Sequence, residues 1–89
     1  MQFVTTPGVE RLGSRDWNLI ITIVTRLYQD NEYFLSFEAK TGNTVVTDGN
    51  ENHLCTIDKL IFPPYVKVWA IYGDDGNSKY YTFLLPEEY

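Results

Sequence analysis

His53 and Cys55 are the single histidine and the single cysteine of this chain, and they stand two residues apart. A thiol beside an imidazole is the pairing from which base-activated nucleophiles are made. Side chains at i and i+2 of a strand share a face, so the spacing lets the two meet if residues 53–57 are extended. Such catalysis also needs a group to orient the base and donors to hold an oxyanion. No glycine elbow or oxyanion-hole motif accompanies the pair. The plainer reading is a small buried cysteine beside a histidine at a loop edge. No catalytic residue is assigned, and the chain is expected not to be an enzyme.

Asp48-Gly49-Asn50-Glu51-Asn52 places oxygen-bearing side chains at alternate positions, as an EF-hand loop begins. His53 then stands where that loop needs glycine, and Lys59 where it needs a bidentate glutamate. Asp74-Asp75-Gly76-Asn77 is a second oxygen-rich stretch, and both read as turn chemistry. One histidine and one cysteine cannot supply a structural zinc site without unusual help from carboxylates. None of the six glycines falls in a phosphate-cradling pattern. No metal and no other cofactor is expected.

The remaining candidates are aromatic and acidic. Aromatic residues make up 16% of the chain, and twelve Asp and Glu against seven Lys and Arg give a net charge of -5. That balance speaks against direct binding to nucleic-acid backbones, where clustered cations supply most of the affinity. It suits a basic partner surface. The lone cysteine rules out an internal disulfide and points to a reducing cytoplasm, the host's if the protein is viral. The first residues lack a basic start and an apolar run, so no signal peptide is read there. The apolar stretch Leu19 to Val24 is too short to span a bilayer.

These residues need elements to position them. The 89 residues suffice for one core, so residues 1–89 are read as one β-rich domain. A domain of that length has a radius of gyration of about 12 Å. Residues 1–18 read largely as loop, and 86–89 as a frayed acidic tail. Five consecutive β-branched residues, Ile20 to Val24, favour a strand over 19–28. A helix from Arg15 to Gln29, capped by Ser14 or Asp16, is the competing reading. Residues 32–39 alternate cleanly, with Tyr33, Leu35, Phe37 and Ala39 on one face. Short strands follow at 44–47 and 53–57, or a helical turn capped by Thr56 near residues 57–61. Tyr65 to Tyr72 and Lys79 to Leu85 form the clearest hairpin, with Val66, Val68, Ala70 and Tyr72 pointing inward. The expected fold is a small antiparallel sheet of five or six strands, curled into a barrel or a two-layer sandwich.

The 65–72 run is apolar on both faces, with Tyr65, Lys67, Trp69 and Ile71 opposite the inward set. Either the second face is covered from within or it docks a partner. The candidate docking residues are Tyr65, Lys67 and Trp69, flanked by Asp30, Asp74 and Asp75. Short acidic β-domains without a catalytic set are common among phage and mobile-element accessory proteins. The sequence therefore leads to a non-catalytic protein-binding module, such as an accessory inhibitor of a basic, nucleic-acid-handling protein. One alternative is a homo-oligomeric structural subunit of a virion or other assembly. Another is a small-ligand or single-stranded nucleic-acid binder stacking on Trp69, Tyr65 and Tyr80.

Overall fold

Six strands and two helices make up the computed structural model, which describes residues 1–89. The strands are β1 Gln2–Thr5, β2 Phe34–Lys40, β3 Asn43–Thr47, β4 His53–Ile57, β5 Lys67–Asp74 and β6 Lys79–Leu84. The helices are α1 Pro7–Leu12 and α2 Trp17–Gln29. The strands form one sheet in the order β1-β6-β5-β2-β3-β4, and the Cα radius of gyration is 12.2 Å. The strand-rich expectation holds, and the closed form does not. The sheet ends at β1 and β4, which do not pair, and the helices fill the face around which a barrel would have wrapped. Nor is the sheet wholly antiparallel, because β1 runs parallel to β6.

The segment expected as a strand over 19–28 is the middle of α2. The apolar residues it turns to the sheet fall at 17, 20, 24 and 27, the spacing of one helical face. Ile20, Val24 and Leu27 are buried against the sheet, and Trp17 sets its ring edge-on to Phe62 and Phe83. Each such burial stabilises by about 1.5–3 kcal/mol, whereas helix propensities of ordinary residues differ by under ~0.7 kcal/mol. Burial therefore outweighs the stiffness of the β-branched run. Thr22 bends its hydroxyl back to the Asn18 carbonyl at 2.8 Å, a bond that lets threonine sit within a helix. Asn31, at φ 63°, ends the helix in the left-handed conformation. The Asn31 and Glu32 amides donate to the carbonyls of Tyr28 and Leu27, so the polar link after residue 28 closes a helix.

Residues 1–18 also depart from the loop expectation. They hold β1, α1 and the start of α2. Thr6 caps α1 by accepting from the Val9 amide, and Pro7 begins the helix with the φ it already prefers. Residues 86–89 carry a 3-10 turn, Pro86–Glu88, where fraying was expected. No helical turn forms near 57–61. Thr56 and Ile57 stay in β4, opposite Val45 and Thr44.

Period-two alternation is read correctly where both neighbours are strands. Leu35, Phe37, Val68 and Ala70 are fully buried beneath the helices. Val66, Tyr72 and Ala39 lie half-buried on that side. Tyr33 precedes β2 and is exposed, its ring stacked on Tyr72 at 4.8 Å.

The chain crosses from β4 to β5 through residues 58–66, at one end of the sheet. Ile61 and Phe62 are buried there, and Phe62 packs edge-on against Phe37. The buried Thr44 hydroxyl donates to the Lys59 carbonyl at 2.9 Å and accepts from the Ile61 amide at 3.2 Å. Ser14 donates to the Ile61 carbonyl at 2.8 Å, and Lys59 pairs with Asp16 at the start of α2. The crossing is thus fixed from below and from the side. Thr44→Val keeps the shape of the side chain but strands the Lys59 carbonyl and the Ile61 amide. It should lower unfolding stability by about 1–3 kcal/mol in a urea titration. An unchanged midpoint would mean that the crossing is not held by Thr44.

Candidate functional site

The sheet face away from the helices carries the side chains that alternate with the core set. Phe34, Ser36 and Glu38 of β2, Lys67, Trp69 and Ile71 of β5, and Val45 and Thr47 of β3 lie on it. The Trp69 ring meets Phe34 at 5.1 Å and Tyr89 at 5.8 Å, nearly edge-on to the latter. On one side the 48–52 loop folds over Phe34, where a Cβ added to Gly49 would lie 3.4 Å from the ring. Between that loop and Trp69 lies a basin of about 670 Å³. Its ionised walls are Glu38, Lys40, Asp48, Glu51 and Lys67, one carboxylate in excess.

Lys67 also walls a second depression, of about 410 Å³, together with Glu38, Leu60 and Tyr65. Tyr65, Lys67 and Trp69 therefore belong to one continuous surface. Tyr65 is wholly exposed, and its backbone stands at φ 68°. The Val66 amide donates to the Pro63 carbonyl across it, closing a turn with Pro64 second and Tyr65 third. Positive φ at the third place of such a turn normally calls for glycine or asparagine. For a bulky residue it is an outlier.

The three aspartates grouped with this surface lie elsewhere. Asp30 follows α2 on the helical side, beside Arg26 and in a shallow groove with Leu54 and Cys55. Asp74 and Asp75 sit at the tip of the β5–β6 hairpin, at the opposite end of β5 from Tyr65. Asp75 accepts from the Ser78 and Asn77 amides at 2.8 and 2.9 Å, and these bonds hold its carboxyl below the ordinary value. Asp74 accepts from the Gly76 amide. Asp48 binds the Asn52 side chain and the amides of Asn52 and Asn50, again with a lowered pKa. These carboxylates shape the turns they stand in. Tyr80, grouped with the stacking residues, lays its ring where a Gly73 side chain would be.

The histidine and the cysteine do not meet. A register shift between Val46 and Thr47 leaves Leu54 as an extra residue in β4. His53 opposes Thr47 on the open face, while Cys55 opposes Val46 and packs against the core. A bulge thus reverses the parity that would have placed them together. Burial raises the Cys55 pKa and keeps the thiol protonated. His53 Nε2 instead lies 2.7 Å from the Thr56 hydroxyl. An imidazole on a hydroxyl can activate a nucleophile, but no side chain bonds the other ring nitrogen to orient it. No three His, Cys, Asp or Glu side chains converge to hold a metal ion.

Comparison with known protein families, curated proteins and solved structures finds no match to this chain. No helix is long and apolar enough to cross a membrane.

Phe34, Tyr89 and Thr56 were absent from the sequence-derived site. Phe34 left a signal, as the one large apolar residue on the polar face of its strand. Thr56 left none, because its meeting with His53 depends on the bulge. The two-sided placement of His53 and Cys55 has a direct test. Cys55 should react with a thiol reagent more slowly than free cysteine, and at the same rate in His53→Ala. A rate that drops on losing His53 would restore the thiol–imidazole pair.

Proposed function

We propose that this chain is a non-catalytic protein-binding module that docks through the surface formed by Tyr65, Lys67 and Trp69. The observation that carries the reading is Tyr65. A tyrosine at this turn position costs roughly 1–2 kcal/mol over a residue at ease with positive φ. Its ring recovers none of that within the chain, since it is wholly exposed. Strained backbone beneath an exposed aromatic is the pattern of a residue kept for contact. Tyrosine suits that role because it buries a large area on binding with few rotamers to freeze. Thr44, Ser14 and the two prolines hold the crossing that presents it, so little further ordering is needed.

The partner we propose is basic. The chain's net charge of -5 favours such an encounter at long range. A nucleic-acid-handling protein inhibited by docking is the kind of partner that meets this description.

Affinity capture with the intact chain, followed by binding measurements on the recovered protein, tests the reading. Tyr65→Gly should weaken binding by about 30-fold or more, the scale of a hot-spot residue. The same substitution should leave the melting temperature unchanged or raised, as strain is relieved and no packing is lost. Undiminished binding by Tyr65→Gly would overturn the docking surface.

The free edge at β4 favours a second reading, a self-assembling structural subunit. Apart from its bulge at Leu54, His53-Leu54-Cys55-Thr56-Ile57 has none of the usual guards of an edge, since it carries no Lys, Asp, Glu or Pro. Light scattering at rising concentration should then show growth beyond the monomer, and Thr56→Lys should reverse it. A strict monomer throughout excludes this reading.

A further inference from the structure

The Trp69 platform is covered by a segment that almost nothing apolar holds down. The 3-10 turn Pro86–Glu88 contains no buried residue. Tyr89 is 83% exposed, and its single ring contact is the one with Trp69. What fixes the segment is the Glu88 carboxylate. It accepts from the Thr6 hydroxyl at 2.6 Å, from the Leu85 amide at 2.8 Å and from the Gly8 amide at 3.1 Å. Arg11 on α1 faces it as the nearby cation. The fit at α1 is close: a Cβ on Gly8 would stand 2.7 Å from a Glu88 oxygen. Thr6 in turn caps α1, so the carboxylate ties the segment to the start of the helical layer.

We propose that residues 86–89 are a latched cover over Trp69, with Glu88 as the latch, and that the segment swings away when a partner engages the open face. The inference concerns regulation of the proposed docking surface and rests on that reading. A latch of hydrogen bonds at an exposed site suits this purpose. Water and partner groups compete with such bonds at little cost, whereas a buried apolar anchor would have to be pulled from the core. The cover also answers the two-sided character of β5. While the latch is closed, the Trp69 ring is flanked by Phe34 and Tyr89 and is half-buried.

Fluorine NMR of the chain labelled with 5-fluorotryptophan tests this without any partner. Trp17 and Trp69 give two resonances, assigned with Trp69→Phe. In Glu88→Ala the Trp69 resonance should move toward its solvent-exposed position, while the Trp17 resonance, in the aromatic core, stays in place. Gly8→Ala leaves the sequence of residues 86–89 intact but sets a methyl group against the Glu88 carboxylate, and should produce the same displacement in a chain with unchanged circular dichroism. If Glu88→Ala fails to fold, Gly8→Ala carries the test alone. A Trp69 resonance that stays in place in Gly8→Ala overturns the cover, and leaves docking through Tyr65 untouched. A resonance that moves, together with undiminished binding by Tyr65→Gly, keeps the cover and removes the docking reading. With the recovered partner, Glu88→Ala should bind more tightly than the unaltered chain, and weaker binding counts against the latch.

Discussion

Trp17, Ile20, Val24 and Leu27 leave water together by landing on one face of the sheet, and most of the architecture follows from that contact. A helix of thirteen residues can cover the middle of a six-stranded sheet, and it can do so on one side only. The inward faces of β2, β5 and β6 are therefore apolar beneath the helix, and Lys79 stands only at their end, by the Tyr28 hydroxyl. The outward faces mix aromatic, hydroxyl and charged groups. The requirement to seal the core ends also explains the 58–66 crossing, which carries Ile61 and Phe62 beneath the helix and delivers Tyr65 on its far side. The position of the candidate anchor is thus a by-product of core closure.

Much of the core was legible because a strand between two strands obeys period two regardless of its partners. Leu35, Phe37, Val68 and Ala70 needed no knowledge of sheet order. The 19–28 segment was misread because β-branching and helical spacing point in opposite directions there, and only the presence of a sheet to bury against decides between them. β1 was invisible for a related reason. Four residues paired in parallel with the last strand have no local signature, and a turn-rich neighbour makes them look like loop.

The candidate surface was half legible. Tyr65, Lys67 and Trp69 fall together because they are alternate residues entering and following one strand. Asp30, Asp74 and Asp75 did not join them, since nearness in sequence to a turn says nothing of which layer or which end the turn occupies. His53 and Cys55 show how narrow the margin is: one inserted residue, Leu54, exchanges the face of everything beyond it. The contacts of Glu88 with α1 gave no sign of themselves, because Thr6 and Gly8 lie 82 and 80 positions away.

That separation has a bearing on how the chain is made. Thr6 and Glu88 are 82 positions apart, and β1 pairs only with β6. During synthesis at roughly 5–20 residues per second, β1 has no strand to join for about 4–16 s. Through that interval its unpaired amides and the apolar side chain of Phe3 are open to other nascent chains. The helical layer can collapse on β2, β5 and their neighbours before then, but this sheet is complete only when β6 leaves the ribosome. The pairing of β1 with β6 thus makes the first of the six strands to be synthesised among the last to find its partner.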